Sequence, residues 1–156
     1  MAILVLIADD HAVFRRWLKA SLELADFRVV GEAADGLEAV RLAGELRPDV
    51  ALFDLVMPGM NGVEAARAVA RASPSTKTIL LTAHDETPYA LEAFRAGVKG
   101  YIVKSHILKG NAADQKGNAA DQLIAGIRQV MAGTVYYSPP ICCRLLEALG
   151  RKAGPL

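Results

Sequence analysis

Five side chains that could support chemistry stand at or just after the ends of apolar runs in this chain of 156 residues. They are three carboxylates, a hydroxyl and an ammonium: Asp9, Asp10, Asp54, Thr82 and Lys104. Three carboxylates gathered at one place repel one another unless a hard cation joins them, and oxygen ligands with open positions suit Mg²⁺. Such a cation beside Asp54, with the ammonium and the hydroxyl facing it, would bind a phosphoryl group. Asp54 is then a candidate nucleophile.

Each of these residues has a simpler explanation when it is considered alone. Asp10 could cap a helix that begins at His11, and Asp54 could be a turn residue. Thr82 suits a strand by propensity, and Lys104 at a strand end is commonly just a solvated charge. Their convergence at one place is what favours a functional site, so the prediction depends on the elements that position them.

Apolar runs of strand length alternate along the chain with stretches that carry apolar residues at helical spacing. Strands that are apolar without alternation are covered on both faces, which predicts a parallel sheet in a doubly wound α/β fold. Ligands of such sheets bind beyond the carboxyl ends of the strands, where the five side chains fall. The predicted strands are 3–8, 27–33, 50–53, 78–82 and 100–103, and the predicted helices are 11–24, 37–46, 63–72, 88–96 and 123–131.

Charge and composition argue against several other classes of protein. With 18 Lys and Arg against 17 Asp and Glu, the chain lacks the basic excess of a domain that binds nucleic acid directly. Its apolar runs are short, and its N-terminus has neither a basic flank nor a cleavage site, so we expect no membrane span and no secretion signal. The adjacent Cys142 and Cys143 are too close for a disulfide framework or a zinc cage. We therefore expect a soluble cytoplasmic protein with one core.

Four motifs, in their order and spacing, resemble the receiver domain of two-component response regulators. The resemblance covers about residues 1–104 and resumes near Leu123. It implies a flavodoxin-like sheet of five parallel strands in the order 2-1-3-4-5, within a receiver domain at 1–137. The motifs are ADDH at 8–11, LFDLVMPGMNG at 52–62, ILLTAH at 79–84 and GYIVKS at 100–105.

The resemblance also implies a role for each candidate residue. Asp54 would accept a phosphoryl group from the phosphohistidine of a sensor kinase, so the chain would act as a signalling switch rather than as an enzyme on other substrates. Thr82 and Lys104 would contact the phosphoryl oxygens, and Tyr101 would be the aromatic side chain that turns inward with the threonine. The surface of the fourth helix, fifth strand and fifth helix would then change. The implied Mg²⁺ ligands are the side chains of Asp9, Asp10 and Asp54 and the backbone carbonyl of Val56.

Two other functions fit the sequence less well. A phosphatase with an aspartyl-phosphate intermediate commonly has a second acid two residues after the nucleophile, where this chain has Val56. Val56 is apolar and cannot orient a water molecule for attack on the phosphoryl group. We therefore hypothesise that a phosphoryl group on Asp54 is long-lived. A dinucleotide-binding domain needs a Gly-rich turn after the first strand, where this chain has Asp9-Asp10-His11. The histidines, at positions 11, 84 and 106, lack ligand spacing and are expected at the rim of the site.

The C-terminal stretch resembles the end of receivers that are joined to a LuxR-type helix-turn-helix. MAGTVYYSPPI at 131–141 and GRKAGPL at 150–156 carry this resemblance. Ser138 and Pro139 are a typical N-cap and first-turn pair for a sixth helix that ends near Leu149. Residues 138–156 would then be a helix and the start of a linker to a DNA-binding output domain that is missing here. The alternative is a stand-alone receiver that acts by binding another protein.

The heptad KGNAADQ occurs twice in succession, at 109–122, before the predicted fifth helix. Two Asn-x-x-Asp patterns, at 111–114 and 118–121, could each start that helix. Moving the start by seven residues turns the apolar face by only about 20°, so the core contacts of the helix could survive either start. We hypothesise that the insertion alters association and favours a homodimer with a changed or exchanged fifth helix. The alternative is a surface loop with no such role.

Overall fold

The computed structural model describes residues 2–83, 87–104, 120–138, 145–147 and 149. Six parallel strands form one sheet in the order β2-β1-β3-β4-β5-β6. The strands are β1 Leu4–Ala8, β2 Arg28–Ala33, β3 Val50–Asp54, β4 Lys77–Thr82, β5 Gly100–Val103 and β6 Tyr136–Tyr137. The helices are α1 Ala12–Leu24, α2 Gly36–Leu46, α3 Gly62–Ala72, α4 Thr87–Arg95 and α5 Asp121–Met131.

The predicted doubly wound fold and the predicted order of its first five strands are confirmed, but the sheet has a sixth strand that the sequence did not predict. This strand, β6, pairs with β5 in parallel and brings Tyr137 beside Tyr101. The Tyr136 N–H donates to the Lys99 carbonyl at 2.8 Å, and the Ser138 N–H donates to the Tyr101 carbonyl at 2.9 Å. The predicted five-stranded sheet is therefore extended by one short edge strand.

Side chains that alternate along the strands fill two cores, one on each face of the sheet, where the sequence predicted a single core. One core lies under α1 and α5, on what we call the α1/α5 face. The other lies under α2, α3 and α4, on the α2/α3/α4 face. The α1/α5 core includes Ile7, Leu52, Ile79 and Ile102 from the strands. The α2/α3/α4 core includes Leu6, Phe53, Leu80, Tyr101 and Val103.

Side-chain caps fix where two helices start at the carboxyl edge of the sheet. Asp35 at the N-cap of α2 and Asn61 at the N-cap of α3 each accept a hydrogen bond of 2.8 Å from the N–H three residues later. The N-cap of α1 is His11, which makes no side-chain capping bond. The alternative in which Asp10 caps this helix is therefore wrong, because Asp10 precedes the cap position.

Several sequence predictions concern segments that the structure describes only in part. The helix α5 begins at Asp121, two residues before the predicted start, with Ala120 as an N-cap that makes no side-chain bond. Residues 145–147 and 149 are helical, as predicted. Of the duplicated heptads, 109–119 lie outside the described residues, as do the histidines at 84 and 106, the cysteines, Pro139 and the predicted linker at 150–156. Within the described part of the chain, no helix is both long and apolar enough to cross a membrane.

Candidate functional site

Strand alternation brings three of the predicted side chains to the same face of the sheet. Asp9 follows β1, Asp54 ends β3 and Lys104 follows β5. The residue two positions earlier in each strand packs in the α1/α5 core, and side chains two apart in a strand share a face. All three side chains therefore lie at the carboxyl ends of their strands and on the α1/α5 face.

The ammonium of Lys104 is shared by two buried carboxylates. Its Nζ atom lies 2.7 Å from Asp9 Oδ2 and 3.2 Å from Asp54 Oδ2, and the exposed fractions of the three side chains are 12%, 2% and 6%. The ammonium also lies 4.4 Å from the ring centroid of Phe14 in α1. The alternative that treats Lys104 as a solvated strand-end charge is therefore wrong.

Asp10 and His11 complete this group at its exposed side. His11 Nδ1 lies 3.1 Å from Asp9 Oδ1, 3.1 Å from Asp10 Oδ1 and 3.9 Å from Asp54 Oδ2. The His11 backbone N–H also donates to Asp9 Oδ1 at 2.8 Å. With 69% of its side chain exposed, His11 lies at the rim as expected, but its contacts with the carboxylates were not predicted. Its position directly after two acids at a strand end was the signal that could have shown them.

The donor atoms of this group fit a hard divalent cation. Ligand atoms of Asp9, Asp10, His11 and Asp54 all lie within 4.8 Å of one another. We call the three carboxylates, Asp9, Asp10 and Asp54, the acidic site. Two of them are buried together against a single ammonium, which leaves excess negative charge for a cation to neutralise. The residues present therefore suit Mg²⁺.

The surroundings of Asp54 act on its ionisation in opposite directions. Burial raises the pKa of the Asp54 carboxyl above its usual range, and the negative charge of Asp9 raises this pKa further. The charge and hydrogen bond of Lys104, together with a backbone hydrogen bond from Val56, favour the ionised form. Because burial is the largest of these effects, the pKa of Asp54 is raised on balance.

The N-terminus of α3 packs directly on the end of β3 and holds Asp54 in place. The Gly62 N–H donates to the Leu55 carbonyl at 2.8 Å. A Cβ atom at Gly62 would lie 2.5 Å from the Asp54 carbonyl oxygen and 3.0 Å from Leu55 Cα. Only glycine permits this close approach of the two backbones.

The remaining predicted residues lie around the acidic site. Thr82 ends β4, the strand next to Asp54, and is fully buried. Tyr101 is also fully buried and lies in β5, in register with Leu80. Val56 lies in the loop after β3 and is 57% exposed. The structure thus brings the acidic site and Lys104 together, with Thr82 at the adjacent strand end and Tyr101 deeper in the α2/α3/α4 core.

Comparisons with known proteins identify the same family across sequence and structure. A family model described as the response regulator receiver domain matches residues 5–109. The chain is 36% identical over 142 residues to the response regulator GacA of Pseudomonas aeruginosa, covering 90% of this chain and 61% of GacA. It is also 36% identical over 152 residues to the oxygen regulatory protein NreC of Staphylococcus carnosus, covering 96% of this chain and 64% of NreC. The chain therefore spans less than two thirds of the length of these relatives.

Two solved structures show the same fold over almost their whole length. One is a two-component response regulator of the LuxR family from Aurantimonas, with a TM-score of 0.81 and 31% identity, covering 95% of this chain and 98% of that one. The other is the signal receiver domain of the putative response regulator NarL from Mycobacterium tuberculosis. It has a TM-score of 0.71 and 32% identity, covering 85% of this chain and 98% of that one.

Proposed function

The chain belongs to the response regulator receiver family, and we propose that it works as a phosphorylation-dependent switch in which Asp54 accepts the phosphoryl group. The observation that best supports this role is the position of the Asp54 carboxylate. It is buried at a strand end, 3.2 Å from the Lys104 ammonium and close to the other carboxylates of the acidic site. A buried carboxylate with a cation beside it can attack phosphorus while the charge of the phosphoryl oxygens is neutralised.

The chemical step assigns a separate task to each side chain. The Asp54 carboxylate attacks the phosphorus atom of a sensor kinase's phosphohistidine. One P–O bond forms as the P–N bond breaks, and the released imidazole takes up a proton. Lys104 and the Thr82 hydroxyl contact the phosphoryl oxygens. The acidic site and the Val56 backbone carbonyl would hold Mg²⁺, which would supply positive charge beside the carboxylates and the phosphoryl group.

The switch itself depends on Thr82 and Tyr101. Both residues are fully buried in adjacent strands, β4 and β5, and their strand positions place them on the α2/α3/α4 face. When the Thr82 hydroxyl binds the phosphoryl group, the space beside Thr82 favours the inward position of the Tyr101 ring. The surface formed by α4, β5 and α5 then differs between the two states, and it is this surface that a partner reads.

The output of the switch is proposed to be control of transcription through a DNA-binding domain outside this chain. The LuxR-family regulator of similar fold and the greater length of the curated relatives support this proposal. In this view residues 1–137 are the receiver, and 138–156 are a helix and the start of a linker. A receiver that acts alone by binding another protein is the alternative, and the gene sequence beyond Leu156 distinguishes the two.

The duplicated heptads lead into α5, and we keep the proposal that they favour a homodimer through a changed or exchanged α5. The helix begins at Asp121, inside the second heptad, so the insertion joins directly to an element of the proposed output surface. Light scattering with and without a phosphoryl mimic tests this proposal. A dimer that is lost when one heptad is deleted supports it, and a monomer under all conditions contradicts it.

The proposed phosphorylation is tested by incubating the purified chain with acetyl phosphate and measuring its intact mass. We expect the mass of one phosphoryl group to be gained in Mg²⁺ and not in EDTA. An equal gain in EDTA would contradict the role of the metal. No gain under either condition would contradict the proposed function as a whole.

A further inference from the structure

Tyr137 packs on the proposed switch residue Tyr101, although it lies beyond residues 5–109, which match the receiver family model. The two rings are stacked, with centroids 5.8 Å apart and an interplanar angle of 10°. The ring of Phe94 in α4 meets Tyr137 edge-on at 6.0 Å. Tyr101 is thus packed against a ring that also contacts the proposed output helix.

A buried hydrogen bond fixes the orientation of the Tyr137 ring. Its hydroxyl donates to the Val98 carbonyl at 2.9 Å. Burial raises the pKa of this hydroxyl above its usual value, so the hydroxyl stays protonated and remains a donor. Val98 lies in the connection between α4 and β5. Tyr137 is therefore held by three parts of the chain at once: the ring of Tyr101, the ring of Phe94 and the backbone of Val98.

Hydrogen bonds of Ser138, next to Tyr137, join β6 to β5, the strand that contains Tyr101 and ends just before Lys104. The Ser138 N–H donates to the Tyr101 carbonyl at 2.9 Å. The Ser138 hydroxyl accepts a bond of 3.3 Å from the N–H of Val103, the residue before Lys104. A change in the position of Tyr101 must therefore be accommodated by β6 as well as by the core.

Tyr137 also lies in one core and beside one groove with residues near the end of the chain. Leu145 is buried in the same core as Tyr101 and Tyr137, and Leu149 packs against that core. A groove of about 240 Å³ lies beside these residues and is lined also by Phe94 and Val135. We call residues 145–147 and Leu149 the C-terminal segment. Leu145 and Leu149 share this core with Tyr137, so the packing of the segment depends on the position of the Tyr137 ring.

We infer that Tyr137 is a positioning residue that holds Tyr101 in its buried position and thereby couples phosphorylation of Asp54 to the C-terminal segment. The inference rests on the proposed function. If phosphorylation and the Tyr137 ring both favour the same buried Tyr101, each must strengthen the other by the same factor. Removing the Tyr137 ring must then weaken the binding of a phosphoryl group at Asp54, although Tyr137 does not touch that site. In return, phosphorylation must tighten the packing of the C-terminal segment.

Three variants and one binding measurement test this coupling. Beryllium trifluoride, a phosphoryl mimic, is titrated at saturating Mg²⁺ and followed by the fluorescence of Trp17, the single tryptophan. The Trp17 ring lies 5.8 Å from Phe14, which contacts Lys104, so it reports on the site. Tyr137→Leu removes the ring, and Tyr137→Phe removes only the hydroxyl. Tyr136→Leu alters the neighbouring ring, which packs against the α1/α5 core on the opposite face of the sheet.

We expect Tyr137→Leu to weaken beryllium trifluoride binding about fivefold or more, since couplings between sites commonly reach this size. The affinity for Mg²⁺ alone should stay within about twofold of wild type, because Tyr137 does not touch the acidic site. Tyr137→Phe should keep most of the coupling, and Tyr136→Leu should bind the mimic as wild type does. A folded Tyr137→Leu variant with wild-type affinity for the mimic overturns the inference, as does an equal loss in Tyr136→Leu.

Hydrogen exchange of the wild-type chain gives a second test that needs no variant. Adding the mimic with Mg²⁺ should slow exchange in peptides that cover Tyr136–Ser138 and 145–149. Unchanged exchange there, with the mimic bound, overturns the inference even if Tyr137→Leu fails to fold. If the wild type does not bind the mimic at all, the proposed function fails first, and the coupling to it fails with it.

Discussion

The Nζ atom of Lys104 lies 2.7 Å from Asp9 Oδ2, although the two residues are 95 positions apart in the chain. Asp9 follows β1 and Lys104 follows β5, and the order of the sheet places both β3 and β4 between them. The contact therefore spans the carboxyl edge of the sheet and passes Asp54, which lies 3.2 Å from the same ammonium. One cation thus holds two buried carboxylates that would otherwise repel each other.

Replacing Lys104 by Met should destabilise the metal-free protein at neutral pH. Two carboxylates would be left buried without their counter-charge, and removal of one partner of a buried pair commonly costs about 3 kcal/mol. Urea unfolding in EDTA measures the loss, which should shrink in Mg²⁺ because the metal neutralises the same carboxylates. The control is Lys99→Met, since Lys99 is exposed before β5. Equal losses in the two variants would show that the shared ammonium is not important for stability.

Replacing Asp54 by Asn should stabilise the metal-free protein at neutral pH. Burial, reinforced by Asp9, raises the pKa of Asp54, so the folded state binds this proton more tightly than the unfolded chain does. The ionised carboxylate therefore lowers the free energy of unfolding at any pH above that raised pKa. This loss of stability disappears as the pH falls from the raised pKa toward 3.8, the ordinary pKa of an Asp carboxyl. Thermal unfolding in EDTA should show Asp54→Asn above wild type at pH 7 and level with it in acid. A variant that is less stable than wild type at pH 7 would contradict this account of Asp54.

Replacing Gly62 by Ala should destabilise the protein and impair the site. The new Cβ atom would lie 2.5 Å from the Asp54 carbonyl oxygen, so the backbone must shift, and such overpacking costs about 3 kcal/mol. Gly44→Ala in α2 is the matched control, because the nearest atom to its Cβ would be 3.7 Å away. This control should gain about 0.5–1 kcal/mol from better helix propensity. Denaturant unfolding separates the two cases, and a Gly62→Ala variant as stable as wild type would show that the close approach is not needed.

Replacing Val56 by Asn should shorten the lifetime of the phosphoryl group on Asp54. Val56 is exposed beside the site and cannot orient water, whereas one added hydrogen bond worth about 1 kcal/mol in the transition state speeds hydrolysis about fivefold. The decay of phosphorylated protein after removal of the donor measures this rate. Leu24→Asn, at the exposed end of α1, controls for a general effect of an added polar side chain. The same decay rate in wild type and Val56→Asn would refute the hypothesis of a long-lived state.

The sheet and most of the site could be predicted because both depend on local patterns. Continuous apolar runs mark buried parallel strands, and residues at their carboxyl ends meet at one edge whatever the details of packing. The proximity of Asp9, Asp54 and Lys104 was predicted on this basis alone. The strand β6 was missed because two residues, Tyr136 and Tyr137, are too few for a periodic signal and stand next to a Ser-Pro pair typical of a helix start.

Other features were not predicted, for different reasons. The stacking of Tyr137 on Tyr101 joins residues that are far apart in the chain and meet only after β6 has paired with β5. The contacts of His11 with Asp9 and Asp10 were missed because a search for ligand spacing among the histidines overlooks a residue adjacent to the acids. The effect of the duplicated heptads on association stays a prediction, since 109–119 lie outside the described residues.

The central claim, that Asp54 accepts the phosphoryl group, is tested most directly by intact-mass measurement of two variants after incubation with acetyl phosphate and Mg²⁺. Asp54→Asn removes the proposed acceptor. Asp26→Asn is the control, because Asp26 lies between α1 and β2, at the amino ends of the strands and away from the acidic site. Its φ of 69° is a conformation that Asn also adopts. We predict that wild type and Asp26→Asn gain one phosphoryl group and that Asp54→Asn gains none. An equal gain in Asp54→Asn would contradict the claim.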